Sequence, residues 1–211
     1  FSLCNLSAQA KYPQSLIFKS CAANSSAVGA SSPHINLITI DPVNITRRAP
    51  MDAFQDHYPE NVAHCYGCGH LNTHGHQIKT VWDGDETVTH FQPEPYHTSV
   101  PGFAYGGLIA SLIDCHSTGT AAAAMYRQEG RDMDSLPAFR FVTGSLHVDY
   151  LKPTPLDSAM VIRGRVKEIK GRKVVVETTV YAAGVATARG EVVAVQMPES
   201  FGQNPTQKEA P

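Results

Sequence analysis

Residues 77–82 and 86–91 alternate between apolar and polar positions, and Asp83-Gly84-Asp85 separates them. That spacing predicts a β-hairpin. A proline-rich loop at 93–101 leads into residues 106–127, which hold no proline and are apolar on nearly every face. A helix with that pattern is expected at the centre of a domain rather than on its surface. Beyond it, 139–151, 159–169, 173–182 and 185–196 are rich in Val, Thr and Tyr, with tight turns at Gly171-Arg172 and Ala183-Gly184. These read as four strands in a meander. A long antiparallel sheet needs something to cover one face, and the single apolar helix is the available cover. The expected class is α+β, a sheet wrapped around one central helix.

The flanks carry a different pattern. Residues 1–50 hold Lys11, Lys19, Arg47 and Arg48 against the single acid Asp41, and 21–33 are Ala/Ser/Asn-rich with no sustained period. They read as an N-terminal extension, disordered or a leader, with no catalytic part. The domain is expected over 51–198, its first 25 residues irregular, and 199–211 as a loose tail. A formal charge of -2 carries no basic excess for nucleic acid. No apolar run reaches the ~18–20 residues of a membrane span. The five cysteines, Cys4, Cys21, Cys65, Cys68 and Cys115, are an odd, sparse set. Such a set reads as reduced thiols in a cytoplasmic setting.

Candidate chemistry concentrates at the start of the helix. Gly106 and Gly107 open it, leaving unpaired N–H groups and a partial positive charge open to close approach. That is a seat for an oxyanion. Asp114 lies between Ile113 and Cys115 in the apolar helix, where a carboxylate is costly unless it is paired or functional. The eight-residue separation of Gly106 and Asp114 spans ~12 Å. One helix therefore cannot bring both groups to one reacting carbonyl. If they serve one substrate, they come from two subunits of a two-fold dimer.

Five stretches together resemble the hotdog-fold, PaaI-like thioesterases. They are Cys65-Tyr66-Gly67-Cys68-Gly69, the Gly106-Gly107 helix start, Asp114 at its distance, 146–153 and 166–172. The resemblance covers about residues 63–195. It implies a hotdog homodimer, or a dimer of dimers, that hydrolyses acyl-CoA thioesters without metal or organic cofactor. It also implies Gly106, with Gly107, as oxyanion donor and Asp114 of the other subunit as general base or nucleophile. Thr143 falls where relatives orient the attacking water, and Ser99 where some carry an amide. Tyr105 stands where relatives have histidine, and an unperturbed phenol is a poor base at neutral pH. This departure leaves open a hotdog protein that binds acyl-CoA without turnover. His97 with Asp114 as a hydratase/dehydratase pair is a further alternative.

The remaining candidates are less pointed. Cys65-x-x-Cys68, flanked by His64 and His70, supplies two ligands where a closed zinc site needs four. It is read as a thiol-lined turn, with no metal, unless Cys115 and His116 swing in from the helix. His116 itself is expected to be a packing residue, and His147 a strand residue that could face the pocket. Lys152 and Arg172, from a basic cluster on and beside the fourth strand, are the candidate phosphate contacts. Phe103, Leu112, Met125 and Phe141 are expected to set the depth of an acyl pocket.

Overall fold

The computed structural model describes residues 52–198. The expectations for 1–50 and for the tail beyond 198 therefore lie outside the described residues. Within them a six-stranded antiparallel sheet is formed by β1 (Thr80–Asp83), β2 (Glu86–Phe91), β3 (Phe141–Tyr150), β4 (Met160–Lys170), β5 (Lys173–Ala182) and β6 (Val185–Gln196). One helix, α1 (Gly106–Glu129), packs against β3, β4, β5 and β6. This is the hotdog arrangement, and each boundary lies within a few residues of the pattern reading.

The meander is the part that fails. The strand order is β1-β2-β4-β5-β6-β3, so only β4 to β6 follow one another across the sheet. β3 crosses to the far edge and pairs with β6, from Phe141 opposite Gln196 to Tyr150 opposite Ala188. Alternation within a strand reports which face is buried, but it carries no information on the strand's neighbour.

The core has two apolar layers with a polar belt between them. Leu108, Leu112 and Ile113 meet Met160, Ile162 and Val180 at one end of α1. Ala121 and Met125 meet Val174, Val176 and Ala194 at the other. Between them His116 is fully buried, its ring nitrogens 3.0 Å from the Thr87 hydroxyl and 2.9 Å from the Thr89 hydroxyl. The belt continues through Thr80 to the buried Gln55, whose Oε1 accepts from the Thr80 amide at 2.7 Å. On the other side of α1, Ser117 bonds Thr178 at 2.8 Å. Buried polar groups are tolerable when satisfied in this way. Gly164 on β4 makes room for the ring, since a Cβ there would lie 2.5 Å from His116 Nε2.

Candidate functional site

Asp114 is half-buried on the side of α1 turned toward the start of β3 and the 57–68 loop. With Thr143 it lines a cavity of about 400 Å³, whose apolar wall includes Tyr58, Tyr126, Phe139 and Phe141. The Thr143 hydroxyl donates to Asp114 Oδ1. The β3–β6 register slips between Thr143 and Ser145, beside that contact. A bulge of this kind bends a strand and re-aims its side chains. Burial pushes the Asp114 carboxyl above its usual range, the Thr143 bond pulls it back, and negative charge on Cys65 adds to the rise. The site thus offers a proton acceptor held by a hydroxyl at the polar end of an apolar pocket.

Three thiols flank Asp114. Cys65 and Cys68 come from the loop turn, which is closed by the Gly69 amide donating to the Cys65 carbonyl at 2.8 Å, and Cys115 comes from α1. Hydrogen bonds from the Cys115 and Cys68 thiols, together with the Gly67 and Cys68 amides, hold Cys65 far below the usual thiol range. The bonds to Cys65 and Cys68, with burial, push Cys115 up. His64 is exposed, and His70 Nδ1 donates to the Gln55 carbonyl at 2.9 Å, so neither joins the thiols.

Gly106 and Gly107 open α1 as expected. Tyr105 occupies the cap position without making a side-chain cap, so the first-turn amides keep no side-chain partner from it. Gly106 borders a different hollow from Asp114, one shared with Tyr150, Lys152 and Thr154. The Tyr150 phenol donates to the Gly106 carbonyl at 2.8 Å and pins this end of the helix. Asp114 and Thr143 are therefore brought together, Gly106 and Lys152 are brought together, and the two pairs stay apart within one protomer.

Other candidates fall elsewhere. His97 is buried, its Nδ1 accepting from the Glu94 amide at 2.9 Å and its ring packed among His76, Phe91 and Tyr96. It lines no part of the Asp114 cavity, so the hydratase pairing finds no geometry in the protomer. Ser99 spends its hydroxyl on the Phe103 and Ala104 carbonyls of its own turn. Arg172 donates to the Gln196 carbonyl at 2.5 Å, in the β4–β5 turn, and borders neither hollow. Arg163, Arg165 and Lys167 are paired with Asp83, Glu86, Glu177 and Glu191. His147 is exposed beside Asp149. Of the expected depth residues only Phe141 lines the cavity, because Leu112 and Met125 are spent in the core and Phe103 is exposed. Pattern reading missed Tyr58, and it raised the approach of Cys115 to the turn only as an exception. A signal for the latter was present in Gly67, where a Cβ would lie 2.2 Å from Cys115 Sγ.

Comparison with known proteins agrees with this architecture. The thioesterase superfamily profile matches residues 101–188, the stretch from just before α1 to the first residues of β6. An acyl-coenzyme A thioesterase of Xenopus laevis, THEM4, is 43% identical over 84 residues, 40% of this chain and 32% of its own length. The Mus musculus protein of the same name is 36% identical over 109 residues, 52% of this chain and 41% of its own length. The chain thus spans only about a third to two-fifths of these curated relatives. Among solved structures, a thioesterase superfamily protein of Shewanella loihica PV-4 is 48% identical, with a TM-score of 0.49, over 60% of this chain and 96% of that one. The superfamily profile, laid over α1 and β3 to β5, identifies this as a thioesterase superfamily domain.

Proposed function

We propose that this chain hydrolyses an acyl-CoA thioester in a site shared by two subunits. The observation that carries the reading is Asp114, bonded by the Thr143 hydroxyl in a cavity with a wall of aromatic side chains. The acyl group occupies the wall of Tyr58, Tyr126, Phe139 and Phe141, placing the thioester carbonyl near the carboxylate. Asp114 takes a proton from water, and the resulting hydroxide adds to the carbonyl carbon. The tetrahedral oxyanion is held by the first-turn amides of Gly106 and Gly107 on the partner's α1. Collapse breaks the C–S bond, and the CoA thiolate leaves and is protonated. Thr143 orients the carboxylate and its water.

The two-subunit arrangement is supported by the separation of the Gly106 hollow from the Asp114 cavity in one protomer. It is also supported by β3, a ten-residue edge strand that, among the described residues, pairs only with β6 and is largely exposed. A long open edge of this kind is a template for pairing with a second copy. Tyr105, Leu146, Tyr150 and Leu151 add exposed apolar surface there. Lys152 lines the same hollow as Gly106, which supports it as the contact to CoA phosphate.

The experiment is turnover of a panel of short, medium and aryl acyl-CoAs by the purified chain and by Asp114→Asn, with CoA binding measured in parallel. Loss of turnover with retained binding is expected. Equal behaviour of the two proteins would identify a ligand-binding hotdog protein instead. A chain that sediments as a monomer under assay conditions and still turns over substrate removes the shared site.

A further inference from the structure

The thiol cluster beside Asp114 has no part in the hydrolysis above. Its geometry is that of a ligand set. The three sulfurs, Cys65, Cys68 and Cys115, lie within 4.8 Å of one another, and Cys65 and Cys115 are 3.8 Å apart. Four-coordinate zinc with Zn–S bonds of ~2.3 Å has sulfur–sulfur edges of ~3.8 Å. One ion therefore reaches all three with small side-chain adjustments. The same spacing is far beyond the ~2.05 Å of a disulfide.

A second, independent feature lies in the backbone. The Cys65-x-x-Cys68-Gly69 turn is closed by the Gly69 amide donating to the Cys65 carbonyl at 2.8 Å, which fixes the two turn cysteines relative to each other. Glycine at 67 lets the turn sit directly on the Cys115 sulfur of α1. The sequence supplies a pair of ligands locally, and the fold delivers the third from fifty residues away.

We propose that Cys65, Cys68 and Cys115 bind one zinc-class thiophilic cation, with water or a small donor completing a tetrahedron. Thiolates select soft or borderline ions, so Zn²⁺ and Co²⁺ are taken and Mg²⁺ and Ca²⁺ are not. The ion clasps the 65–69 turn to α1 at the residue next to Asp114. Cys4 and Cys21 lie outside the described residues.

The test is titration of the reduced, chelator-treated full chain with Co²⁺ under anaerobic conditions, followed by displacement with Zn²⁺. One equivalent of Co²⁺ with intense tetrahedral d–d bands and sulfur-to-metal charge transfer is expected, bleached by one equivalent of Zn²⁺. C4A/C21A keeps the spectrum, whereas C115A and C65A lose at least ~100-fold in affinity, more than the ~10–100-fold of an outer-shell change. Because C115A alters the core, C65A on the exposed turn carries the conclusion if C115A fails to fold. A zinc-dependent rise in Tm in wild type, absent in C65A, is the second readout. Absence of the spectrum, its survival in C65A, or its loss in C4A/C21A overturns the proposal. None of these readouts depends on thioester turnover.

Discussion

Asp114 and His116 stand two residues apart on α1, on opposite sides of it, and their surroundings could hardly differ more. The imidazole is fully buried, and each of its nitrogens meets a threonine hydroxyl. The carboxylate is half-buried, takes one hydroxyl from Thr143 and borders a cavity of about 400 Å³. At ~100° per residue, two steps turn a side chain by ~200°. A polar residue in an apolar helix is thus no marker of a site by itself. What separates structural from chemical roles is whether the hydrogen-bonding capacity is closed by protein or left open to a ligand. Burial acts on both in the same sense, favouring the neutral form: it lifts the carboxyl and drops His116 to about 3.

Substitutions on the two sides should therefore split activity from stability. Asp114→Asn is expected to lower kcat by about a thousandfold, ~4 kcal/mol of barrier, with the thermal midpoint little changed. An unaltered kcat would sink the assignment of the base. His116→Ala does the reverse, leaving Thr87 and Thr89 without their partner beside a void. A loss of ~3 kcal/mol of unfolding free energy is expected, measured by urea denaturation. The kcat of the remaining folded protein should hold.

Acid sharpens the same contrast. Because the folded pKa of His116 lies well below that of a free imidazole, the unfolded chain takes up the proton first as pH falls. The His116 contribution is complete above about pH 6.5 and is lost progressively as pH drops toward about 3. Between about pH 6.5 and about pH 5 the loss amounts to ~2 kcal/mol. Denaturation at both pH values checks this, and the difference should shrink by that amount in His116→Leu, leaving what the shifted His57, His76 and His97 contribute. The smallest effect is expected at Thr143→Val. Removing the hydroxyl should lower kcat by about tenfold, ~1.4 kcal/mol, with KM nearly constant. A rise in KM alone would make Thr143 a binding residue rather than an orienting one.

Much of this molecule was legible one residue at a time. The 24-residue helix, the strands and the two-residue turns follow from apolar periodicity and turn chemistry, which short-range backbone geometry controls. Asp114 announced itself by being out of place, and the Gly106–Asp114 spacing already showed that a single helix cannot bring both groups to one carbonyl. The thioesterase resemblance assigned Thr143 its place, and in the fold its hydroxyl donates to Asp114. His97 and Ser99 looked reactive by residue type, and local contacts consume both.

Tertiary structure alone decided the neighbours. β3 lies beside β6 and not β4, Phe141 lines the cavity while Leu112 does not, and Cys115 reaches a turn fifty residues upstream. Periodicity records whether a position faces the interior. Which other interior position it meets depends on how whole elements pack, and that interaction has no sequence-local trace.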